Sequence, residues 1–269
     1  MRTIDGRVAV VTGAGGGIGR ATSLALARHG CAVAVVDVNA AAVRETQELI
    51  RVAGGKATVH IADASSSGRM AELPGEVVSE HGACHILVNN AGVLAVGRFE
   101  EDTLDDIRWI VDINIFGIVH GCHHFLPVLR EADEAHIVNV SSMAAFAGIP
   151  QNAVYSLTKG AVRSFTEALR AELVGTSIGV STLFPGSTNT NIMRGSRGAQ
   201  ADRLNALADK SFVRLFSSSP EAAGRKIVRA IEHERARVLL GPDARLIDLS
   251  ARLLPGRTGL IGRALNLVT

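Results

Sequence analysis

The chain alternates between short runs of consecutive apolar residues and longer segments in which apolar residues recur at helical spacing. The first apolar run, Val8 to Val11, leads through Thr12 into a loop with five glycines and then into apolar positions three and four residues apart. Unbroken apolar runs are typical of parallel strands buried on both faces, and the wider spacing is typical of helices with one buried face. The opening stretch therefore predicts a strand, a glycine-rich turn and a helix.

The same alternation continues through most of the chain. Further apolar runs predict strands at Cys31–Val36, Lys56–Ile61, Cys84–Val88, Ala135–Val140, Ile178–Leu183 and Ala236–Leu240. The segments between them predict helices at 40–53, 65–81, 104–129, 153–174 and 220–234. Strands separated by helices form right-handed crossovers and a parallel sheet with helices on both faces. We therefore predict one doubly wound α/β domain, in which the loops after the strands meet along one edge of the sheet.

The glycine-rich turn has the chemistry of a pyrophosphate site. Glycine lets the backbone approach a ligand closely, and a helix start offers unpaired N–H groups at the positive end of its dipole. The spacing TGAGGGIG at 12–19 does not match the G-x-G-x-x-G fingerprint of dinucleotide-binding folds. A plain tight turn between strand and helix is therefore the alternative interpretation of this stretch taken alone.

Asp37 follows the second predicted strand and lies 24 residues beyond Gly13. In dinucleotide folds an acidic side chain near this position accepts hydrogen bonds from the adenosine 2′-hydroxyl and would repel a 2′-phosphate. Positions 15, 16, 38 and 39 carry no Arg or Lys. The sequence therefore favours NAD over NADP, and the alternative role for Asp37 is to cap the helix predicted at 40–53.

Tyr155 and Lys159 are four residues apart on the helix predicted at 153–174, so they share one face of it. This spacing is common by chance. However, Tyr155 is the chain's one tyrosine, and it lies 13 residues after Ser142, just past a strand that ends on the predicted ligand edge. The pair is therefore a candidate for catalysis.

Together these features resemble the short-chain dehydrogenase/reductase family. The motifs that carry the resemblance are TGAGGGIG at 12–19, Asp63, NNAG at 89–92, Asn114, Ser142, YSLTK at 155–159 and PGSTNT at 185–190. The resemblance spans roughly Asp5 to Gly241. It implies a single Rossmann-type domain with a seven-stranded parallel sheet, an oxidoreductase acting on CH–OH groups, and a homodimer or homotetramer.

The resemblance also implies a catalytic set of Asn114, Ser142, Tyr155 and Lys159. Tyr155 would act as general acid/base while a hydride moves between nicotinamide and a carbinol carbon. Because a free phenol with a pKa of about 10 is a poor base at neutral pH, the Lys159 ammonium is expected to lower the pKa of Tyr155. Ser142 would bind the substrate oxygen, and Asn114 would position a water beside Lys159.

The cofactor contacts are likewise implied by the resemblance. The pyrophosphate would lie on the glycine loop, the adenine on Asp63, the adenosine ribose along 90–92, the nicotinamide ribose on Lys159 and the carboxamide on 185–190. The expected cofactor-binding residues are Gly13, Gly16, Gly17, Ile18, Gly19, Asp37, Asp63, Asn90, Ala91, Gly92, Tyr155, Lys159, Pro185, Gly186, Thr188 and Thr190.

Composition narrows the remaining classes of function. The net charge of +2, with no basic cluster interleaved with aromatic residues, argues against nucleic acid. Three widely spaced cysteines suggest free buried thiols, and His120, Cys122, His123 and His124 lack a further ligand at a useful offset, so no metal is expected. With no signal-peptide pattern and no run of about 18 apolar residues, we expect a cytoplasmic protein.

Two segments surround or follow the predicted site. We assign residues 1–241 to the catalytic domain, with the irregular polar segment 189–216 as a lid, and 242–269 to a C-terminal extension. The lid carries more basic than acidic residues, namely Arg194, Arg197, Arg203, Lys210 and Arg214 against Asp202 and Asp209. The extension has an apolar stripe at helical spacing, formed by Leu246, Leu249 and Leu253. We expect it to pack on the domain or on a neighbouring subunit, and weak contact with a membrane surface is the alternative.

The leading hypothesis is an NAD-dependent dehydrogenase or reductase that acts on a secondary alcohol or ketone. Apolar residues near the predicted site favour a hydrophobic substrate, whose identity and direction of turnover the sequence leaves open. An NADPH-dependent reductase of 3-oxoacyl thioesters is a second hypothesis, which the basic lid favours and Asp37 opposes. A non-catalytic NAD-binding interaction protein is the third.

Overall fold

The computed structural model describes residues 1, 3–188, 195–200, 218–257 and 259. Its centre is a parallel sheet of seven strands in the order β3-β2-β1-β4-β5-β6-β7. The strands are β1 (Val8–Thr12), β2 (Ala32–Asp37), β3 (Lys56–Ile61), β4 (Ile86–Asn89), β5 (Ala135–Val140), β6 (Ile178–Pro185) and β7 (Arg237–Leu240). The predicted parallel, doubly wound fold is confirmed.

Helices cover both faces of this sheet. They are α1 (Gly17–Arg28), α2 (Ala40–Val52), α3 (Ser67–His81), α4 (Leu104–Val111), α5 (Gly117–Arg130), α6 (Ala153–Glu172), α7 (Pro220–Glu232) and α8 (Pro242–Leu253). Short 3₁₀ turns lie at Phe99–Glu101, Met143–Ala145 and Pro255–Arg257.

The unbroken apolar runs arise because each strand faces two cores. In β1, Ala9 and Val11 point into a layer shared with α1, α2 and α7, whereas Val8 and Val10 point into a layer shared with α3, α5 and α6. Successive side chains of a strand alternate between the two faces of the sheet, so a strand covered on both faces has apolar residues at successive positions.

The strand order reverses between β1 and β4. From β1 the chain moves outward through β2 and β3, then returns to β4 beside β1 and continues to β7. Because all neighbouring strands pair in parallel, their carboxyl ends lie on the same edge. The position where such an order reverses leaves a crevice between two diverging loops, which is where open α/β sheets bind ligands.

The helix predicted at 104–129 is present as an unbroken helical stretch from 104 to 130, but it is not α-helical throughout. A π-helical turn, Asp112–Phe116, separates α4 from α5, and α5 runs through Pro127 to Arg130. Apolar spacing alone does not distinguish the wider hydrogen-bonding pattern of a π-turn, which is often found at functional sites. Asn114 lies in this turn and is fully buried, although an Asn in a long helix is usually solvated.

The C-terminal helix α8 packs against the sheet edge through Ala244 and Ile247, which are buried. Leu246, Leu249 and Leu253 of the predicted apolar stripe are exposed, at 66%, 54% and 69%. The face of α8 that meets its own domain is therefore a different one from the leucine stripe. Within the described ranges, none of the helices is both long and apolar enough to span a bilayer.

His136 is a buried titratable group in the middle of β5. Its Nε2 lies 2.8 Å from the Ser181 hydroxyl, which itself donates to the Arg235 carbonyl oxygen at 2.7 Å. Burial, with a smaller contribution from the N-terminal ammonium, lowers the pKa of His136 to about 4. The folded protein therefore holds this imidazole neutral at pH values where an unfolded chain protonates it.

We expect the free energy of unfolding to fall on acidification because of His136. Between the unfolded pKa of about 6.5 and the folded value, the unfolded chain binds a proton that the folded chain refuses, which costs about 2 kcal/mol by pH 5. Urea unfolding at pH 7 and pH 5 measures this loss. His136→Gln, which can still donate to Ser181, should lose that much less stability between the two pH values than the parent protein. Equal losses in both proteins would contradict the assignment.

Candidate active site

Tyr155 and Lys159 lie one turn apart near the start of α6. Tyr155 is half-buried, and Lys159 is buried with 2% of its surface exposed. The Lys159 ammonium donates to the Val140 carbonyl oxygen at 3.1 Å, and its Nζ lies 5.8 Å from the centroid of the Tyr155 ring. The two side chains therefore share one face of the helix at the end of β5, as their spacing predicts.

Burial controls the protonation of both groups. It lowers the pKa of Lys159 to about 8 and raises the pKa of Tyr155, while a hydrogen bond with Ser142 acts in the opposite direction on Tyr155. The sequence led us to expect the ammonium to lower the pKa of Tyr155. In this structure burial, and not the ammonium, has the largest effect on the pKa of Tyr155, and the ammonium donates to the Val140 carbonyl oxygen. The phenol of Tyr155 is consequently neutral around pH 7.

Ser142 stands opposite Tyr155 just beyond the end of β5. Its side chain is 9% exposed and lies close enough to the Tyr155 side chain to act on the pKa of the phenol, which it lowers. It also begins the 3₁₀ turn at 143–145, where Oγ accepts a hydrogen bond from the Ala144 N–H at 3.2 Å. This turn holds the serine hydroxyl beside the phenol.

Asn114 joins the loop after β4 to α6. Its Oδ1 accepts from the Val93 N–H at 2.8 Å, and its Nδ2 donates to the Val93 carbonyl oxygen at 3.0 Å and to Thr158 Oγ1 at 3.1 Å. Thr158 in turn donates to the Tyr155 carbonyl oxygen at 2.8 Å. The Asn114 side chain therefore holds structural elements on either side of the site together.

Gly92 shows how closely these groups approach one another. A Cβ at this position would lie 3.2 Å from Asn114 Oδ1 and 3.3 Å from Lys159 Nζ. The absence of a side chain at Gly92 therefore leaves room at the meeting point of the π-turn, α6 and the loop after β4. Two members of the expected catalytic set, Asn114 and Lys159, therefore meet beside Gly92.

The glycine loop is tied to the loop after β4 by Asn90. The Asn90 Nδ2 donates to the carbonyl oxygens of Thr12 at 2.9 Å and Gly13 at 3.2 Å, and the N–H groups of Asn90 and Ala91 donate to Thr12 Oγ1. Gly13 has a φ of +64°, and a Cβ there would lie 2.9 Å from Ala91 Cα. Asn90 was expected beside the ribose; its side chain is also a structural link that the sequence did not reveal.

The start of α1 fits a phosphate group. Gly16 precedes the helix and offers no capping side chain. Gly17 and Ile18 begin the helix, and Gly19 faces the Gly13 carbonyl so closely that a Cβ would collide with it. The backbone N–H groups at this helix start are thus available to an anion.

Asp37 faces this glycine loop from the end of β2. Its Oδ2 accepts from the Gly15 N–H at 2.8 Å and its Oδ1 accepts from the Asn39 N–H at 2.9 Å. The capping side chain of α2 is Asn39, which accepts from the Ala42 N–H, so Asp37 is not the cap of that helix. A carboxylate beside the glycine loop suits the hydroxyls of an adenosine ribose.

Arg20 is a neighbour of the glycine loop that the motifs did not single out. Its guanidinium donates to the Gly15 carbonyl oxygen and to Glu45 Oε2, both at 2.6 Å, and to Thr46 Oγ1 at 3.0 Å. It therefore clamps the glycine loop between α1 and α2. An Arg one residue after the loop, on the helix that the loop begins, was the available signal in the sequence.

The remaining expected contacts lie further along the same edge. Asp63 follows β3 and accepts hydrogen bonds from the N–H and hydroxyl of Ser65 at 2.9 and 2.7 Å. Pro185 ends β6, the Gly186 N–H donates to the Leu240 carbonyl oxygen, and Thr188 Oγ1 donates to the Gly186 carbonyl oxygen at 3.1 Å.

Thr190 and most of the expected lid, 189–194 and 201–216, lie outside the described residues. Among the residues described, no group of three or more His, Cys, Asp or Glu side chains is arranged to hold a metal ion.

The chain is similar to a known protein family and to individual known proteins. A family model described as short chain dehydrogenase matches residues 7–201. SadH of Mycobacterium tuberculosis is 33% identical to the chain over 256 residues, a match that covers 94% of this chain and 93% of SadH.

Two solved structures share the fold. That of a short chain dehydrogenase/reductase from Burkholderia phymatum, in complex with NAD, matches with a TM-score of 0.86 at 30% identity, covering 96% of this chain and 95% of that one. That of a metagenomic short-chain oxidoreductase, in complex with NADP, matches with a TM-score of 0.73 at 26% identity, covering 88% and 97%. The chain therefore belongs to the short-chain dehydrogenase/reductase family of oxidoreductases, which bind a nicotinamide cofactor.

Proposed function

We propose that this protein transfers a hydride between NAD(H) and a secondary alcohol or ketone, with Tyr155 as the general acid/base. The observation that carries the proposal is the placement of the Ser142 hydroxyl near the Tyr155 phenol, with the buried Lys159 ammonium one helical turn away. These three groups lie on the strand edge to which the glycine loop also belongs. A hydroxyl, a phenol and an ammonium in this order can bind an alcohol oxygen and move its proton.

The nicotinamide supplies the acceptor or donor for the hydride when it is bound. In ketone reduction the neutral Tyr155 phenol donates its proton to the substrate oxygen, while the Ser142 hydroxyl stabilises the charge that develops there. In alcohol oxidation Tyr155 accepts the proton. Because burial raises the pKa of Tyr155, oxidation should become faster as the pH rises above neutrality.

NAD is the proposed cofactor because of the charge beside the glycine loop. Asp37 places a carboxylate at Gly15, where it can accept hydrogen bonds from ribose hydroxyls. The 2′-phosphate of NADP would meet the same negative charge at short range. The related structure from Burkholderia phymatum, which contains NAD, supports this proposal.

A hydrophobic substrate is favoured by the surroundings of Tyr155. Ala95, Ile110 and Val154 form a buried apolar cluster against which Val93 and Tyr155 pack. Of the basic residues in the expected lid, Arg197 stacks on the Trp109 ring at 4.2 Å and lies 4.0 Å from an Asp106 oxygen. Arg197 is thus engaged with the protein, which weakens the argument that the lid recruits an anionic thioester.

We also propose that the protein assembles into dimers or tetramers through the α4–α5 and α6 region. Large apolar side chains are exposed there, including Leu104, Phe116 and Leu157. Exposed apolar patches of this kind commonly mark interfaces between chains.

Replacing Tyr155 with Phe should abolish proton transfer while it preserves the apolar packing of the ring. We expect kcat to fall by about 10²- to 10⁴-fold for an alcohol found active with NAD. The NADH dissociation constant should stay within about threefold, since one contact of many is lost. Nicotinamide absorbance measures turnover, and Ser156→Ala, the next residue on α6, serves as the control. Unchanged turnover in Tyr155→Phe would rule out the mechanism.

The cofactor preference can be measured directly. We expect NADH to bind at least about tenfold more tightly than NADPH, and Asp37→Asn to reduce the difference because the negative charge is removed. Fluorescence titration of both reduced cofactors provides the two constants. If the parent protein bound NADPH as tightly as NADH, the Asp37 argument would fail and reduction of 3-oxoacyl thioesters would become the better hypothesis.

A further inference from the structure

Helix α8 begins immediately behind the turn that follows β6. Asp243, in its first turn, accepts a hydrogen bond on Oδ2 from the Ser187 N–H at 2.6 Å. Its other oxygen, Oδ1, accepts from the Ala244 N–H at 2.9 Å within α8. A carboxylate at this end of a helix is also favoured by the helix dipole. One side chain thereby joins the C-terminal helix to the backbone at 186–188.

The surrounding backbone is shaped to admit this carboxylate. A Cβ on Gly186 or on Gly241 would collide with the Asp243 side chain. Gly241 has a φ of +98°, which a residue with a side chain rarely adopts, and it turns the chain from β7 into α8. Two glycines therefore make the space that lets Asp243 reach the Ser187 N–H.

The turn is held on two other sides as well. The Gly186 N–H donates to the Leu240 carbonyl oxygen at the end of β7, and the Ser218 N–H donates to the Ser187 carbonyl oxygen, both at 2.8 Å. The Ser187 N–H would face solvent without the Asp243 carboxylate. Asp243 thus completes the set of bonds that fixes this piece of backbone.

Helix α8 is itself firmly anchored, so the Asp243 carboxylate has a fixed position. Ala244 and Ile247 are buried, and Asp248, 8% exposed, pairs with Arg237 of β7 at 2.7 Å and with Arg252 at 3.2 Å. The Arg237 guanidinium lies 5.2 Å from the Phe146 ring centroid, in the segment that follows Ser142. Ile247 of the helix packs in one cluster with Phe146, so α8 touches the segments after both β5 and β6.

We propose that Asp243 is a positioning residue for the nicotinamide end of the cofactor. It would act by fixing the Gly186–Ser187 turn in the conformation that receives the carboxamide. This inference rests on the proposed function, because it takes the turn after β6 to hold that end of NAD(H). It assigns the C-terminal extension a part in the active site.

A simple structural role and a positioning role predict different binding results. ADP-ribose contains the adenosine, the pyrophosphate and the second ribose but no nicotinamide, so it does not use the carboxamide contact. If Asp243 merely stabilises α8, its loss should affect NADH and ADP-ribose alike. If it positions the turn, the loss of Asp243 should weaken the binding of NADH but not that of ADP-ribose.

The experiment compares the dissociation constants of NADH and ADP-ribose by titration calorimetry for the full-length protein and its variants. We expect Asp243→Ala to weaken NADH about tenfold and to leave ADP-ribose within about twofold. Asp243→Asn keeps an oxygen acceptor of the same reach, so it should lose about two- to threefold in NADH affinity. Asp105→Ala removes an exposed carboxylate on α4 and is the matched control, with both affinities unchanged.

Unchanged NADH binding by Asp243→Ala, or equal weakening of both ligands in Asp243→Ala and Asp243→Asn, would overturn the inference while the proposed function stands. Failure of the parent protein to bind either ligand would overturn the proposed function and this inference with it.

Discussion

The hydrogen bonds that join the ends of β1 and β4 are the interaction on which the rest of the site depends. Asn90 and the Thr12 hydroxyl connect the glycine loop to the loop after β4 at the position where the strand order reverses. Without them the two loops would be free to diverge, and the start of α1 would lose its fixed relation to the rest of the edge. The same β4 loop continues to Gly92, beside which Asn114 and Lys159 meet.

Burying the Lys159 ammonium is energetically unfavourable, and the rest of the fold has to offset that free energy. A desolvated ammonium is destabilised, which is why burial lowers the pKa of Lys159 to about 8. The Val140 carbonyl oxygen compensates part of that cost at 3.1 Å. A cation kept in this position is of little use to the fold alone. In the proposed mechanism it has a clear use, beside a phenol that exchanges a proton and beside the hydroxyls of the cofactor ribose.

The sheet, its parallel strands and the Tyr155–Lys159 face could be predicted from the sequence, because buried strands show as unbroken apolar runs and a four-residue spacing defines a helix face. The π-turn at Asn114 could not, since apolar spacing does not separate a π-turn from an α-helix. The contacts of Asn90, Asn114 and Asp243 with backbone groups were also hidden. These bonds depend on main-chain positions that are distant in sequence, and a backbone N–H or carbonyl has no signature in the residue pattern.

A crystal structure of the protein with NAD tests the account most directly. We expect the pyrophosphate on the N–H groups at the start of α1, the adenosine ribose on Asp37, and the nicotinamide ring between Ser187 and Tyr155 with its ribose beside Lys159. A dinucleotide bound away from the glycine loop, or a nicotinamide ring directed away from Tyr155, would contradict the site assigned at this edge of the sheet.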